Sequence, residues 1–142
     1  MSKESLISYC GLYCGDCLFY TGSIADSAKD LRKELRKHKF DEVAKSLPFK
    51  EFKNYPECYE MLGAMMKLRC KGCRERDKGK FTCNIVQCAQ NKEFEGCWEC
   101  DEFETCQEFD FLKSVHNDAN LKNLRKIKKQ GIEGFLKVKR HF

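Results

Sequence analysis

The chain has 142 residues, 42% of them hydrophobic, and its eleven Phe and five Tyr suffice for one ordinary core. A net charge of +5, from 27 basic and 22 acidic side chains, excludes a uniformly nucleic-acid-like surface, and no run approaches the roughly twenty apolar residues that span a bilayer. Eleven Cys is far above ordinary usage, and MSKESLISYC has no apolar stretch long enough for a signal peptide, so a cytoplasmic, reduced protein is expected.

In chain order, YCGLYCGDC comes first and sets Cys10, Cys14 and Cys17 close together. A helix is predicted next, opened by a capping box of Ser23 and Asp26. Ile24, Ala28, Leu31 and Leu35 form its buried stripe, and Lys29, Arg32, Lys33, Arg36 and Lys37 read as a solvated face. FDEVAKSLP predicts a short helix capped by Asp41 and stopped before Pro48. Pro56 suits the first turn of a third helix, on which Cys58, Met61 or Leu62, Met65 and Leu68 form an apolar stripe; Cys58 reads as a core thiol. Over residues 70–106 the periodicity dissolves into Cys, Gly and charge, with one helical turn after Ile85. Such a segment has too little apolar content to order itself, and a metal would supply that energy. At the end, Leu121, Leu124 and Ile127 make one stripe and Ile132, Phe135 and Leu136 another, parted by Gly131 as a cap or a break.

The expected fold is mainly α, a small helical domain spanning 1–142. The Cys triad and first helices occupy 1–69, a cysteine-rich, metal-ordered irregular segment of zinc-knuckle-like loops occupies 70–106, and basic helices occupy 107–142.

Ten Cys fall into groups: Cys10-x3-Cys14-x2-Cys17, Cys70-x2-Cys73, Cys83-x4-Cys88 and Cys97-x2-Cys100-x5-Cys106. A two-residue gap lets one tight turn aim both sulfurs at a single ion while its N–H groups share their charge. Gly72 and Gly15 would help such turns adopt positive φ. His38, His116 and His141 each stand alone and read as surface residues, which leaves all-thiolate sites suited to zinc or iron–sulfur rather than hard cations. Ten Cys fit two tetrahedral sites with two spare thiols, or two metals sharing bridging sulfurs. The expected division places Cys70, Cys73, Cys83 and Cys88 in one site. The other draws on Cys10, Cys14, Cys17, Cys97, Cys100 and Cys106.

Charge is patterned as well. Residues 67–80 carry seven basic side chains, residues 93–110 eight acidic and no basic ones, and residues 119–142 a net +7. The basic run would offset the net −2 of a tetrathiolate zinc site. The +7 end would either lie against the acidic run or contact nucleic acid.

YCGLYCGDC, YPECYEML, CKGCR, CNIVQCA and CWECDEFETC occur in an order that resembles a family of small bacterial and archaeal proteins, the domain of unknown function 3795. The resemblance covers residues 9–136. It implies a cytoplasmic, zinc-binding protein without an assigned activity, with cysteine motifs at Cys10, Cys14, Cys17, Cys70, Cys73, Cys83, Cys88, Cys97, Cys100 and Cys106. The chain departs from the family pattern at Cys58, where relatives have Phe, at Lys80, where relatives carry a further Cys, and at Thr105 in place of Pro.

The preferred reading is a structural or binding module in which two zinc ions hold short loops for a protein partner. Trp98, with Phe94 and Phe103, would either pack over the metal or present an aromatic surface. One alternative is an iron–sulfur electron-transfer protein. The spacing of Cys10, Cys14 and Cys17 resembles the cluster triad of radical S-adenosylmethionine enzymes, although the chain is too short for their barrel. Another is a zinc-dependent nucleic-acid-binding module using the basic residues of 67–80 and 122–140, which no recognition motif accompanies. No Ser/His/Asp set, phosphate loop or catalytic carboxylate pair occurs, so the sequence assigns no reaction. No membrane association is expected.

Overall fold

The computed structural model describes residues 2–75 and 83–142. It is mainly helical, as the periodicity predicts, with seven α-helices and no strand among the described residues. None of these helices is long and apolar enough to cross a membrane. Two compact units are present: Leu18–Cys70, and Met1–Cys17 together with Lys71–Phe142.

The unit Leu18–Cys70 comprises α1 (Leu18–Thr21), α2 (Ser23–Lys37), α3 (Phe40–Ser46), a 3-10 turn (Lys50–Asn54) and α4 (Tyr55–Met65). Helix α2 starts one residue after Gly22, whose φ is 70°, and no side chain caps it. The predicted capping box is therefore absent: Asp26 pairs with Arg69 instead. The buried stripe is also rotated. Ala25 and Ala28 are buried, with Arg32 and Leu35 half-buried, whereas Ile24 and Leu31 are 39% and 48% exposed. The rotation follows from α2 packing on α4 through small residues and a stacked cation. The Arg32 guanidinium lies 4.0 Å over the Tyr59 ring, and Arg36 Nη1 donates to the Tyr59 hydroxyl at 2.9 Å. Part of the expected solvated face thus serves an internal contact. Helix α3 begins at Phe40, one residue before the predicted cap. Pro56 does sit in the first turn of α4. On that helix Tyr55, Tyr59, Leu62 and Met65 are half-buried, and Phe40 stacks on Phe52 and Tyr55 at 5.8 and 5.4 Å. This aromatic series fixes the helix rotation and leaves Cys58 exposed, which overturns its reading as a core thiol. Met61 is 60% exposed for the same reason.

The unit formed by Met1–Cys17 and Lys71–Phe142 holds α5 (Asn84–Asn91), α6 (Lys113–His116) and α7 (Ala119–Lys137), with 3-10 segments at Cys97–Glu99, Phe103–Thr105 and Gln107–Leu112 between α5 and α6. Helix α5 has two turns where the sequence promised one, with Ile85 and Ala89 buried. Leu124 and Ile127 on α7 are buried, Leu121 is half-buried, and after the break so is the Phe135 stripe, with Phe135 itself fully buried. Gly131, at φ 73° and ψ 174°, interrupts α7 in a conformation open in practice to glycine alone. Leu12, Ile85, Phe103, Phe109, Leu112 and Leu124 form one core cluster; Ile7, Tyr13, Ile127 and Phe135 form a second. Thus α7 serves both clusters.

Candidate metal centre

The segment around Cys10 is a tight turn between Ile7 and Tyr13, which pair across an antiparallel bridge. The Ser8 N–H donates to the Leu12 carbonyl at 2.8 Å, and the Gly11 N–H to the Ser8 carbonyl at 3.1 Å. Gly11 has φ 89°, and a Cβ there would stand 2.9 Å from Leu124 Cγ. Only glycine lets the turn lie so close to α7. Ser8 Oγ and Cys10 Sγ are 3.0 Å apart.

Two CxxC segments fold alike. In Cys14–Cys17 and in Cys97–Cys100 the second cysteine's N–H donates to the first one's carbonyl, at 3.0 and 3.1 Å. The Cys97 N–H donates to the Tyr9 carbonyl at 2.8 Å, tying this turn to the first. CKGC folds differently, with Gly72 at φ 103°, the positive value its place predicts; Gly15 has no such φ. Cys83 precedes α5 and Cys88 lies on it, half-buried because Ile85 and Ala89 anchor the helix. All eleven cysteines are thiols.

Cys10, Cys83, Cys97, Cys100 and Cys106 pack against the same core cluster. Cys88, Cys97, Cys100 and Cys106 also line one cavity of about 290 Å³, together with Phe94, Phe103 and Phe109. Burial pushes the Cys97 thiol up to about 12, and its neighbours Cys10, Cys106, Cys88 and Cys100 add to that. Cys10 is also raised, by burial first and then by Cys83 and Cys14, against the lowering effect of its bonds to Ser8 and Leu12. The grouping differs from the one drawn from spacing alone. Cys88 joins Cys97, Cys100 and Cys106, while Cys83 and Cys97 both neighbour Cys10. Cys70 closes the Leu18–Cys70 unit, its N–H donating to the Phe19 carbonyl at 2.9 Å, and Cys73 follows in the other unit. Cys14 is buried and Cys17 half-buried. Among the described residues, no three His, Cys, Asp or Glu side chains converge tightly enough to hold a metal ion as they stand. The donor chemistry itself fits a thiophilic metal: several sulfurs share an apolar wall, and burial beside other sulfurs disfavours ionisation of Cys10 and Cys97 until a cation compensates.

The histidines stand apart from this chemistry. His38 pairs with Glu34, and His116 lies edge-on to Phe142 at 4.7 Å. Asn123 holds the His141 backbone through both its amide nitrogen and its carbonyl oxygen. Trp98 is half-buried and packs against both core clusters rather than presenting an aromatic surface. The basic end does lie on the acidic run. Arg125 makes a two-pronged bond to Glu104 at 2.7 and 2.6 Å and holds its carboxyl below the usual range, and Lys128 stands 5.6 Å over Phe103. The position Lys80 lies outside the described residues.

Sequence reasoning passed over Arg74. Its Nε donates to the Ile7 carbonyl at 2.8 Å and its Nη2 to the Glu95 carbonyl at 2.6 Å. The signal available was a cation directly after CKGC, with a tyrosine before the first triad and a tryptophan inside CWEC.

The family model described as Protein of unknown function (DUF3795) matches residues 6–111, a stretch that contains all eleven cysteines. No curated protein and no solved structure matches the chain.

Proposed function

The chain belongs to that family of proteins of unknown function, and we propose that it is a thiolate metal protein of the cytoplasm, loaded with two zinc ions, that acts as a structural or binding module for a protein partner. The observation that carries this reading is the gathering of Cys10, Cys83, Cys97, Cys100 and Cys106, from three separate stretches of chain, on a single core. Cys88, Cys97, Cys100 and Cys106, which share a cavity, are the best candidates for one ion. Cys10, Cys14, Cys17, Cys73 and Cys83, in the same unit, are the candidates for the other. A bound zinc ion would contribute positive charge and a fixed tetrahedral anchor. The chain's own part is to hold the turns at Cys14–Cys17 and Cys97–Cys100 by their backbone bonds, and to line the cavity with the apolar rings of Phe94, Phe103 and Phe109.

A second reading, an iron–sulfur electron-transfer protein, draws on the Cys10, Cys14 and Cys17 spacing and on the same all-sulfur donor set. Purification without oxygen or a metal-affinity tag, followed by elemental analysis and a visible spectrum, separates the two. About two zinc per chain and no colour is the expected result. A brown protein with iron and acid-labile sulfide would establish the second reading, and a protein with neither metal would defeat both.

A further inference from the structure

We propose that Arg74 is a positioning residue of the thiol sites: one guanidinium clamps three cysteine-bearing segments together and so holds ligands of both ions in register. The proposal rests on the metal-binding reading and assigns a role to a residue outside the ligand set.

Arg74 immediately follows Cys73. It donates hydrogen bonds to main-chain carbonyls at Ile7, three residues before Cys10, and at Glu95, two residues before Cys97. The guanidinium also lies 4.5 Å over the Tyr9 ring and 5.9 Å from the Trp98 ring, so it touches the residues adjoining Cys10 and Cys97 as well. The segments it joins are already linked by the Cys97 N–H bond to the Tyr9 carbonyl. Removing Arg74 would leave two carbonyls without their donor and one of the three segments, the one that carries Cys73, without this tie.

The geometry selects arginine. A planar fork reaches two carbonyls that lie in different directions while its faces rest on aromatic rings; a lysine ammonium is a point charge that can reach one of them and cannot stack. Residues that orient ligands without touching the ion commonly account for 10–100-fold in metal affinity.

The test uses the full chain, reduced and stripped of metal without oxygen. Cobalt(II) is the probe, read by its sulfur-to-metal absorption and titrated against a chelator of known affinity. Arg74→Met and Arg74→Lys are compared with the parent chain, and Arg125→Met controls for loss of an exposed arginine. Trp98, the sole tryptophan, reports the clamp through its emission. The expected result is about tenfold or greater weakening of cobalt binding in both Arg74 variants, with altered cobalt absorption and Trp98 emission, while Arg125→Met binds like the parent. All comparisons are made where circular dichroism shows folded protein. Should Arg74→Met fail to fold, Arg74→Lys decides. Parental cobalt affinity in a folded Arg74 variant overturns the proposal and leaves the metal reading standing. A parent chain that takes up neither cobalt nor zinc overturns both.

Discussion

A thiol whose ionisation is pushed up to about 12 is a poor nucleophile at neutral pH, because the thiolate is the reactive form. Cys97 is in that position, whereas Cys58 lies exposed on α4. In the metal-free, reduced protein, brief treatment with iodoacetamide at pH 7 should therefore label Cys58 first and Cys97 far more slowly. Peptide mass spectrometry at timed intervals reads this, and equal rates would show that Cys97 is not held as described. The same shift makes stability depend on pH. The folded state favours the neutral Cys97 thiol more than the unfolded state does, so its contribution is fully present below the ordinary value of 9.0. It is lost as pH rises from there toward about 12. The urea midpoint of the metal-free protein should accordingly fall above pH 9, and Cys97→Ser should remove part of that fall. Cys58 also shows what a sequence hides at this scale. Its spacing from Met61, Met65 and Leu68 suited a buried stripe, but helix rotation is chosen by the largest contacts, here Tyr55 and Tyr59.

At the scale of elements, the stripes on α7 were legible because Leu124, Ile127 and Phe135 are large, apolar and regularly spaced, with Lys and Arg between them. The start of α2 was less legible. Ser23 and Asp26 have the right spacing for a capping box, yet Arg69, forty-three residues away, takes the Asp26 carboxylate. A distant partner of that kind leaves no mark on local sequence. Gly131 was legible as a break, and its conformation makes a firm prediction. Gly131→Ala should cost about 1–3 kcal/mol, although no atom lies within 4 Å of the added Cβ, because the strain is in the backbone alone. Urea unfolding measures the loss. A gain in both stability and helical ellipticity would mean instead that α7 straightens through this position.

For the molecule as a whole, the cysteine spacings announced the turns but not which turns share a neighbourhood. Spacing reports what one stretch of backbone can do, and Cys88 reaches Cys97, Cys100 and Cys106 only because α5 is anchored through Ile85 and Ala89. Loops that depend on a bound ion should loosen when it is removed, and the proposed ligand set makes the two units differ in that dependence. The unit Leu18–Cys70 has its own aromatic framework in Phe40, Phe52, Tyr55 and Tyr59, and it contains none of the proposed ligands. Chelation of the metal-loaded protein should therefore accelerate amide hydrogen exchange in Met1–Cys17 and Lys71–Phe142 while Leu18–Arg69 keeps its protection. Uniform loss of protection across the chain would show that the units melt together and that the ion's effect is not local.

The packing of Ile7 and Tyr13 against Ile127 and Phe135 has a consequence for synthesis. A ribosome adding about 5–20 residues per second finishes the segment around Ile7 on the order of 10 s before the helix that covers it. The Leu18–Cys70 helices are complete within that interval and can fold while the chain is still growing. Cys10, Cys14 and Cys17, by contrast, must wait in the open. During every round of translation these three thiols are available to whatever metal or oxidant the cell then holds.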